Sequence, residues 1–271
     1  MLDKDLIPNP ADWRLIMRID RDVLHVMAFS PREYDSLIYR ALPLDRSATS
    51  RLKAIEDVVY DNPMLLNDFG RVDCLVSTPR YIITPDDDTP VDDAFALMRK
   101  MFPSDTHCDI SANGMGGIYM QVEEDVLRFL RRTFAGINIS HPLVPLIKYF
   151  TGPTVTGSGN GRSMFVSFQE DRVDVVATSH GQLLMANSFQ VTGAPDIVYY
   201  ILASRQQLGF SAENDPILTT GDSPAREEAI ATLRRYVRHV MPVIFPSSMF
   251  RCGKDAMAAP FDLIALPLSQ L

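Results

Sequence analysis

One pattern in this chain returns roughly 150 residues after it first appears. Three strand-like runs, WRLIMRID, VLHVMAF and SLIYRALPL, follow one another near the N-terminus, and a helical pattern then begins near Thr49. Past the middle, RSMFVSFQ, RVDVVATS and QLLMANSFQ repeat that order, and a helix follows from Pro195. A β-β-β-α unit repeated at domain spacing calls for an α/β protein of two similar lobes, and paired lobes enclose a cleft. The repeat is architecture and names no reaction.

Periodicity fills in the lobes. Ile16, Arg18 and Asp20 alternate with Leu15, Met17 and Ile19, the period of a strand. The short Arg21-Asp22 connection predicts a hairpin into Val23, and each lobe should open as an antiparallel meander because its turns are too short for parallel crossovers. Leu37–Leu44 forms the third strand. Leu52, Ile55, Val58 and Val59 then sit at helical spacing, with Ser47 or Thr49 as the cap. Strands follow around Cys74–Val76 and Tyr81–Ile83. The acidic turn Asp86-Asp87-Asp88 precedes a helix from Val91 to Met101. A later helix opens on Glu123, Glu124 and Asp125 and closes on Arg128, Arg131 and Arg132, the charge order that a helix dipole favours.

The breaker cluster from Thr151 to Gly161 divides the chain into lobes at 1–150 and 151–271. In the second, Gln169-Glu170-Asp171 and Ser179-His180-Gly181 read as hairpin turns, Pro195 and Asp196 start a helix, and Gly209 stops it. The run Leu183 and Met185, with Leu184 and Ala186 on its other face, is expected in a central region of the second sheet, with Phe189, Tyr199 and Tyr200 packing the core. Ile217–Thr219 is a short strand. A helix opens at Ser223-Pro224 and carries Ile230, Leu233, Val237 and Val240 on one face. The terminal run FDLIAL reads as a last buried strand.

Composition narrows the partners. A net charge of −8 and a pI near 5.1 disfavour binding to phosphate backbones, so no nucleic acid is expected. Cys74, Cys108 and Cys252 are odd in number and lack a CxxC pair, which suits a reducing compartment. The acidic, proline-containing start MLDKDLIPNPADW lacks a signal-peptide core, and no apolar run reaches the ~18 residues of a membrane span. A cytoplasmic protein without membrane insertion is the expectation.

The duplicated strand–strand–strand–helix–strand–helix order resembles the actin-like ATPase superfamily, with its RNase H-like lobes, which includes sugar kinases, heat-shock chaperones and bacterial assembly proteins. The pairing of LLMANSFQVTGAPDIVYYILASRQQLG with FDLIALPL resembles, more narrowly, an uncharacterised bacterial family that shares this fold. The superfamily resemblance implies a nucleotide cleft, glycine-containing hairpins after the first strand of each lobe, a metal-facing aspartate at Asp20, and a glycine pair for adenosine at Gly116 and Gly117. The hairpins here, Ile19–Val23 and Phe168–Arg172, contain no glycine and add carboxylates. Only glycine lets backbone N–H groups crowd onto phosphates in so tight a turn.

The remaining motifs read as structure. Gly157, Gly159 and Gly161 precede a strand, opposite to a dinucleotide fingerprint. Histidines 25, 107, 141, 180 and 239 lack ligand spacing, and Asp20, Asp22 and Asp174, a conceivable metal trio, read as solvated surface. Arg234, Arg235 and Arg238, near Arg226, form an outer basic face open to an acidic partner. No nucleophile elbow or Walker loop is present. The sequence therefore assigns no catalytic residue, metal site or cofactor. It predicts a non-catalytic binding or scaffold module with degenerate phosphate loops, whose partner is another protein. The alternative is an ATP- and magnesium-binding ATPase with unconventional cleft residues, and a metal-dependent phosphodiesterase stands third.

Overall fold

The computed structural model describes residues 2–84, 90–103, 108–112, 117–152, 161–246 and 253–269. The chain forms two compact units, Met1–Val144 with Ser247–Ala259, and Pro145–Pro246 with Pro260–Leu271.

The first unit is built on a five-stranded sheet in the order β3-β2-β1-β4-β8. Its strands are β1 (Arg14–Ile19), β2 (Val23–Phe29), β3 (Ile38–Pro43), β4 (Arg71–Val76) and β8 (Asn138–Ser140). β1, β2 and β3 pair antiparallel, whereas β4 runs parallel to both β1 and β8. Leu15, Met17 and Ile19 alternate onto one face. There they pack with Leu24, Val26, Cys74 and Val76 against α1 (Arg51–Tyr60) and α3 (Glu124–Thr133). Ser50 caps α1, its hydroxyl accepting from the Lys53 N–H at 3.1 Å, so the cap falls one residue beyond Thr49. A three-stranded sheet of β5 (Tyr81–Ile83), β6 (Cys108–Ala112) and β7 (Gly117–Gln121) packs with α2 (Val91–Met101) around Ile82, Met98 and Tyr119.

The second unit repeats the first sheet. Its order is β11-β10-β9-β12-β13, from β9 (Arg162–Phe168), β10 (Arg172–Ser179), β11 (Gln182–Gln190), β12 (Ile217–Gly221) and β13 (Val240–Pro242). The pairing senses match strand for strand, with an antiparallel meander followed by two parallel neighbours. α5 (Ala194–Gln207) and α6 (Arg226–Leu233) cover its core through Ile197, Ile201, Ile230 and Leu233. The remaining helices are α4 (Leu143–Thr151), α7 (Asp255–Ala258) and α8 (Phe261–Leu268). Leu15–Ile19 and Met164–Phe168 lie in separate sheets, as duplication requires.

Four expectations are corrected. FDLIAL is the helix α8 and not a strand: Pro260 precedes it, and every residue from Phe261 to Pro267 is buried. An apolar run buried on all sides carries no period to separate helix from strand. Leu184 does not lie on a central strand. β11 is an edge strand, and the register slips there between Ala177↔Met185 and Thr178↔Leu183, leaving Leu184 as a bulge with 39% of its surface exposed. Tyr199 is exposed as well, although Tyr200 stacks on the half-buried Phe189. Finally, α6 stops at Leu233, and Val237 and Val240 reach the same core from the following turn and from β13.

Candidate functional site

The two sheets can be superposed by register, which pairs residues between units. Ile19 lies opposite Leu24 and Val76, and Phe168 lies opposite Val173 and Gly221. Asp20 therefore corresponds to Gln169, and Arg18 to Ser167. The turns close alike. The Asp20 N–H donates to the Val23 carbonyl at 2.9 Å and that of Gln169 to Arg172 at 3.0 Å. Leu44 and Val191 donate to Asp22 and Asp171 at 2.8 and 2.9 Å.

In these positions actin-like proteins are expected to cradle phosphate. A cradle of successive N–H groups needs a left-handed residue to turn them inward. Among the described residues the only non-glycines with positive φ are Asp35 and His180, so neither Arg21-Asp22 nor Glu170-Asp171 supplies one. Both turns are instead tied to their own sheet, and the Asp22 carboxylate pairs with Arg46 at 2.7 Å.

Asp20 stands at the end of β1, where the sequence placed it, but its lone pairs are engaged. Its Oδ2 accepts from Arg18 Nη2 at 2.8 Å and Arg18 Nε at 2.9 Å, and lies 3.1 Å from His25 Nε2. Its Oδ1 accepts from the Ser77 hydroxyl. His25 Nδ1 meets the Tyr39 hydroxyl at 2.7 Å, so one tautomer satisfies the chain: Tyr39 donates to His25, and His25 donates to Asp20. Arg18 is among the largest fully buried side chains of the protein. A buried guanidinium needs a carboxylate beside it, and Asp20 is that carboxylate.

This donor set does not fit a magnesium ion. Magnesium needs free oxygen ligands, and here the Arg18 guanidinium already sits against the Asp20 carboxylate. Gln169 replaces that carboxylate by an amide in the second unit, where its Nε2 donates to Ser167 Oγ at 3.1 Å. Among the described residues no group of three or more His, Cys, Asp and Glu side chains is arranged to hold a metal.

The other candidates separate. Asp174 belongs to the second unit and is 2% exposed, so it is not solvated surface. Its Oδ1 accepts from Arg172 Nε at 3.2 Å and from the Ser188 hydroxyl. Gly117 opens β7, and a Cβ there would lie 2.7 Å from the Tyr119 ring, which gives that glycine a packing reason. Gly116, Gly157, Gly159, His107, Cys252 and the Asp86–Asp88 turn lie outside the described residues.

The sequence reading missed the role of Arg18. The signal was present: Arg-x-Asp recurs within or at the end of strands at Arg18/Asp20, Arg71/Asp73 and Arg172/Asp174. Each is an ion pair, at 2.8, 2.8 and 3.2 Å. A two-residue spacing puts both charges on one face of a strand, so each arginine neutralises its own aspartate.

Among solved structures the chain is similar to a Bacteroides thetaiotaomicron protein with an actin-like ATPase fold and unknown function. The TM-score is 0.80 and the identity 21%, over 98% of both chains. It is also similar to the PilM–PilN type IV pilus biogenesis complex, with a TM-score of 0.59 and 10% identity over 95% of this chain and 97% of that one. These likenesses show the actin-like ATPase fold. No curated protein matches the sequence. Residues 4–240 match the family described as "Protein of unknown function (DUF3822)", and the chain belongs to that family.

Proposed function

We propose that this protein is a non-catalytic binding or scaffold module of the actin-like fold, and that its partner is another protein. The observation that carries this reading is the engagement of Asp20 by Arg18, His25 and Ser77. Phosphoryl transfer depends on positioning and on charge stabilisation of the phosphate oxygens. Here the carboxylate that would hold the metal is neutralised from within, and the turns that would cradle phosphate present carboxylates. The acidic net charge of −8 argues against a polynucleotide partner. A protein of this fold occurs with a second protein in the PilM–PilN complex, which supports a protein partner. Among the described residues no helix is long and apolar enough to cross a membrane, and the reading places the protein in the cytoplasm.

Phosphate release from ATP with magnesium tests the reading. The purified protein should give no release above a protein-free control. Turnover that disappears in Asp20→Ala would overturn the proposal and favour an ATPase.

A further inference from the structure

The segment Ser247–Ala259 belongs to the first unit, although the chain on both sides of it belongs to the second. Its described part, from Gly253, makes specific contacts with the outer edge of β3. Leu44 donates to Asp22 at 2.8 Å and continues the β2–β3 ladder, so the even-numbered residues of β3 turn their backbone groups toward β2. Tyr39 and Ala41 therefore point theirs outward. An outward-facing strand edge is a template for another chain unless something covers it.

Asp255 covers half of it. Its Oδ2 accepts from the Tyr39 N–H at 3.1 Å and from Arg40 Nη1 at 2.7 Å. Arg40 Nη1 also donates to the Tyr39 carbonyl at 2.5 Å, so the two side chains close both backbone groups of Tyr39. Beyond them Ala41 and Pro43 are exposed. Pro43 has no N–H, so Ala41 offers the next donor on this edge. The strap also leans on the loop before β3: Gly253 has φ +109°, and a Cβ there would lie 2.5 Å from the Asp35 carboxylate.

We infer that residues 253–259 are a releasable strap, occupying in cis an edge whose occupant in trans is an extended partner segment that carries a carboxylate. The chemistry of that partner is read from the strap itself. A backbone N–H and a guanidinium, side by side on a strand edge, select a carboxylate followed by chain that can pair with Ala41. Exchange is cheap, because the side chains of Arg40 and Asp255 remain 52% and 39% exposed, and an ion pair in water contributes little. The strap holds through its high local concentration, which a partner segment must outcompete. The edge is also wired inward: the hydroxyl of Tyr39, whose backbone Asp255 grips, closes the hydrogen-bond chain to Asp20.

This inference rests on the protein-binding reading, and its test uses no nucleotide, so the two can fail separately. Hydrogen exchange of the full-length protein is compared between wild type, Asp255→Ala and Arg40→Ala. The Tyr39 amide should exchange at least about tenfold faster in Asp255→Ala, with β1 and β4 unchanged. A fluorescein-labelled peptide of residues 253–259 is then titrated into both proteins. It should bind Asp255→Ala saturably and wild type at least about tenfold more weakly, and lose its binding when its own aspartate is replaced by alanine. Arg40→Ala should weaken the peptide even where the strap is loosened. Unchanged Tyr39 exchange, no binding to Asp255→Ala up to ~1 mM, or binding indifferent to the peptide's aspartate would overturn the inference.

Discussion

Replacing Arg18 by methionine keeps most of its apolar stem but removes the cation from Asp20. At 2.8 Å and an effective dielectric of about 20, the gross attraction of the pair is about 6 kcal/mol. Burying both ions offsets much of this, so the useful quantity is the cost of leaving one partner alone. Breaking a fully buried pair costs ~3–5 kcal/mol. The Asp20 side chain keeps 15% exposure and retains Ser77 and His25, which lowers the expected loss to about 2–4 kcal/mol. Adding Asp20→Asn removes the stranded charge while preserving hydrogen-bonding capacity. The double variant should regain about 1–2 kcal/mol over Arg18→Met alone. Trp13, the single tryptophan, is 5% exposed in the core of the first unit. Its fluorescence during urea unfolding therefore reports on this unit without requiring the whole chain to unfold in one step. A loss below ~1 kcal/mol for Arg18→Met, or no recovery in the double variant, would refute the view that the pair is mutually required.

Gly221 ends β12 at φ +78°, and a Cβ there would sit 2.1 Å from the Phe168 carbonyl oxygen. Gly221→Ala should cost about 2–4 kcal/mol and lower the melting of the second unit by circular dichroism, while the Trp13 transition stays in place. Burial pushes the Cys74 thiol up to about 12, with Asp73 adding to the rise. The neutral thiol thus persists far above pH 8, and iodoacetamide should label Cys74 only in unfolded protein; native-state labelling seen by peptide mass spectrometry would contradict its placement. Leu184→Asp, at an exposed bulge, should shift stability by less than about 1 kcal/mol in a thermal melt, whereas a large loss would return Leu184 to a covered strand.

The duplicated lobes were legible because strand runs such as Leu15–Ile19 and Met164–Phe168 keep their order and their short turns, which local sequence dictates. The bounds of α2, Val91–Met101, were legible for the same reason. What local pattern cannot carry is the identity of neighbours. Leu184 alternates like a core residue, yet a bulge and an edge position decide its exposure, and both are set by pairing with β10. FDLIAL has the composition of a strand and is a helix; buried from Phe261 to Pro267, it shows no alternation by which the two could be told apart. At the candidate site, the absence of glycine from both turns was plain in the sequence. The fate of Asp20 was not, since it depends on Arg18 facing His25 across the β1–β2 register and on Ser77 arriving from the end of β4.

The central claim is that the Asp20 position is closed by the protein's own charges, and calorimetric titration of ATP with magnesium into the purified protein tests it most directly. The account predicts no saturable heat up to ~1 mM nucleotide, for wild type and for Asp20→Ala alike. Micromolar binding by wild type that requires magnesium and vanishes in Asp20→Ala would contradict it.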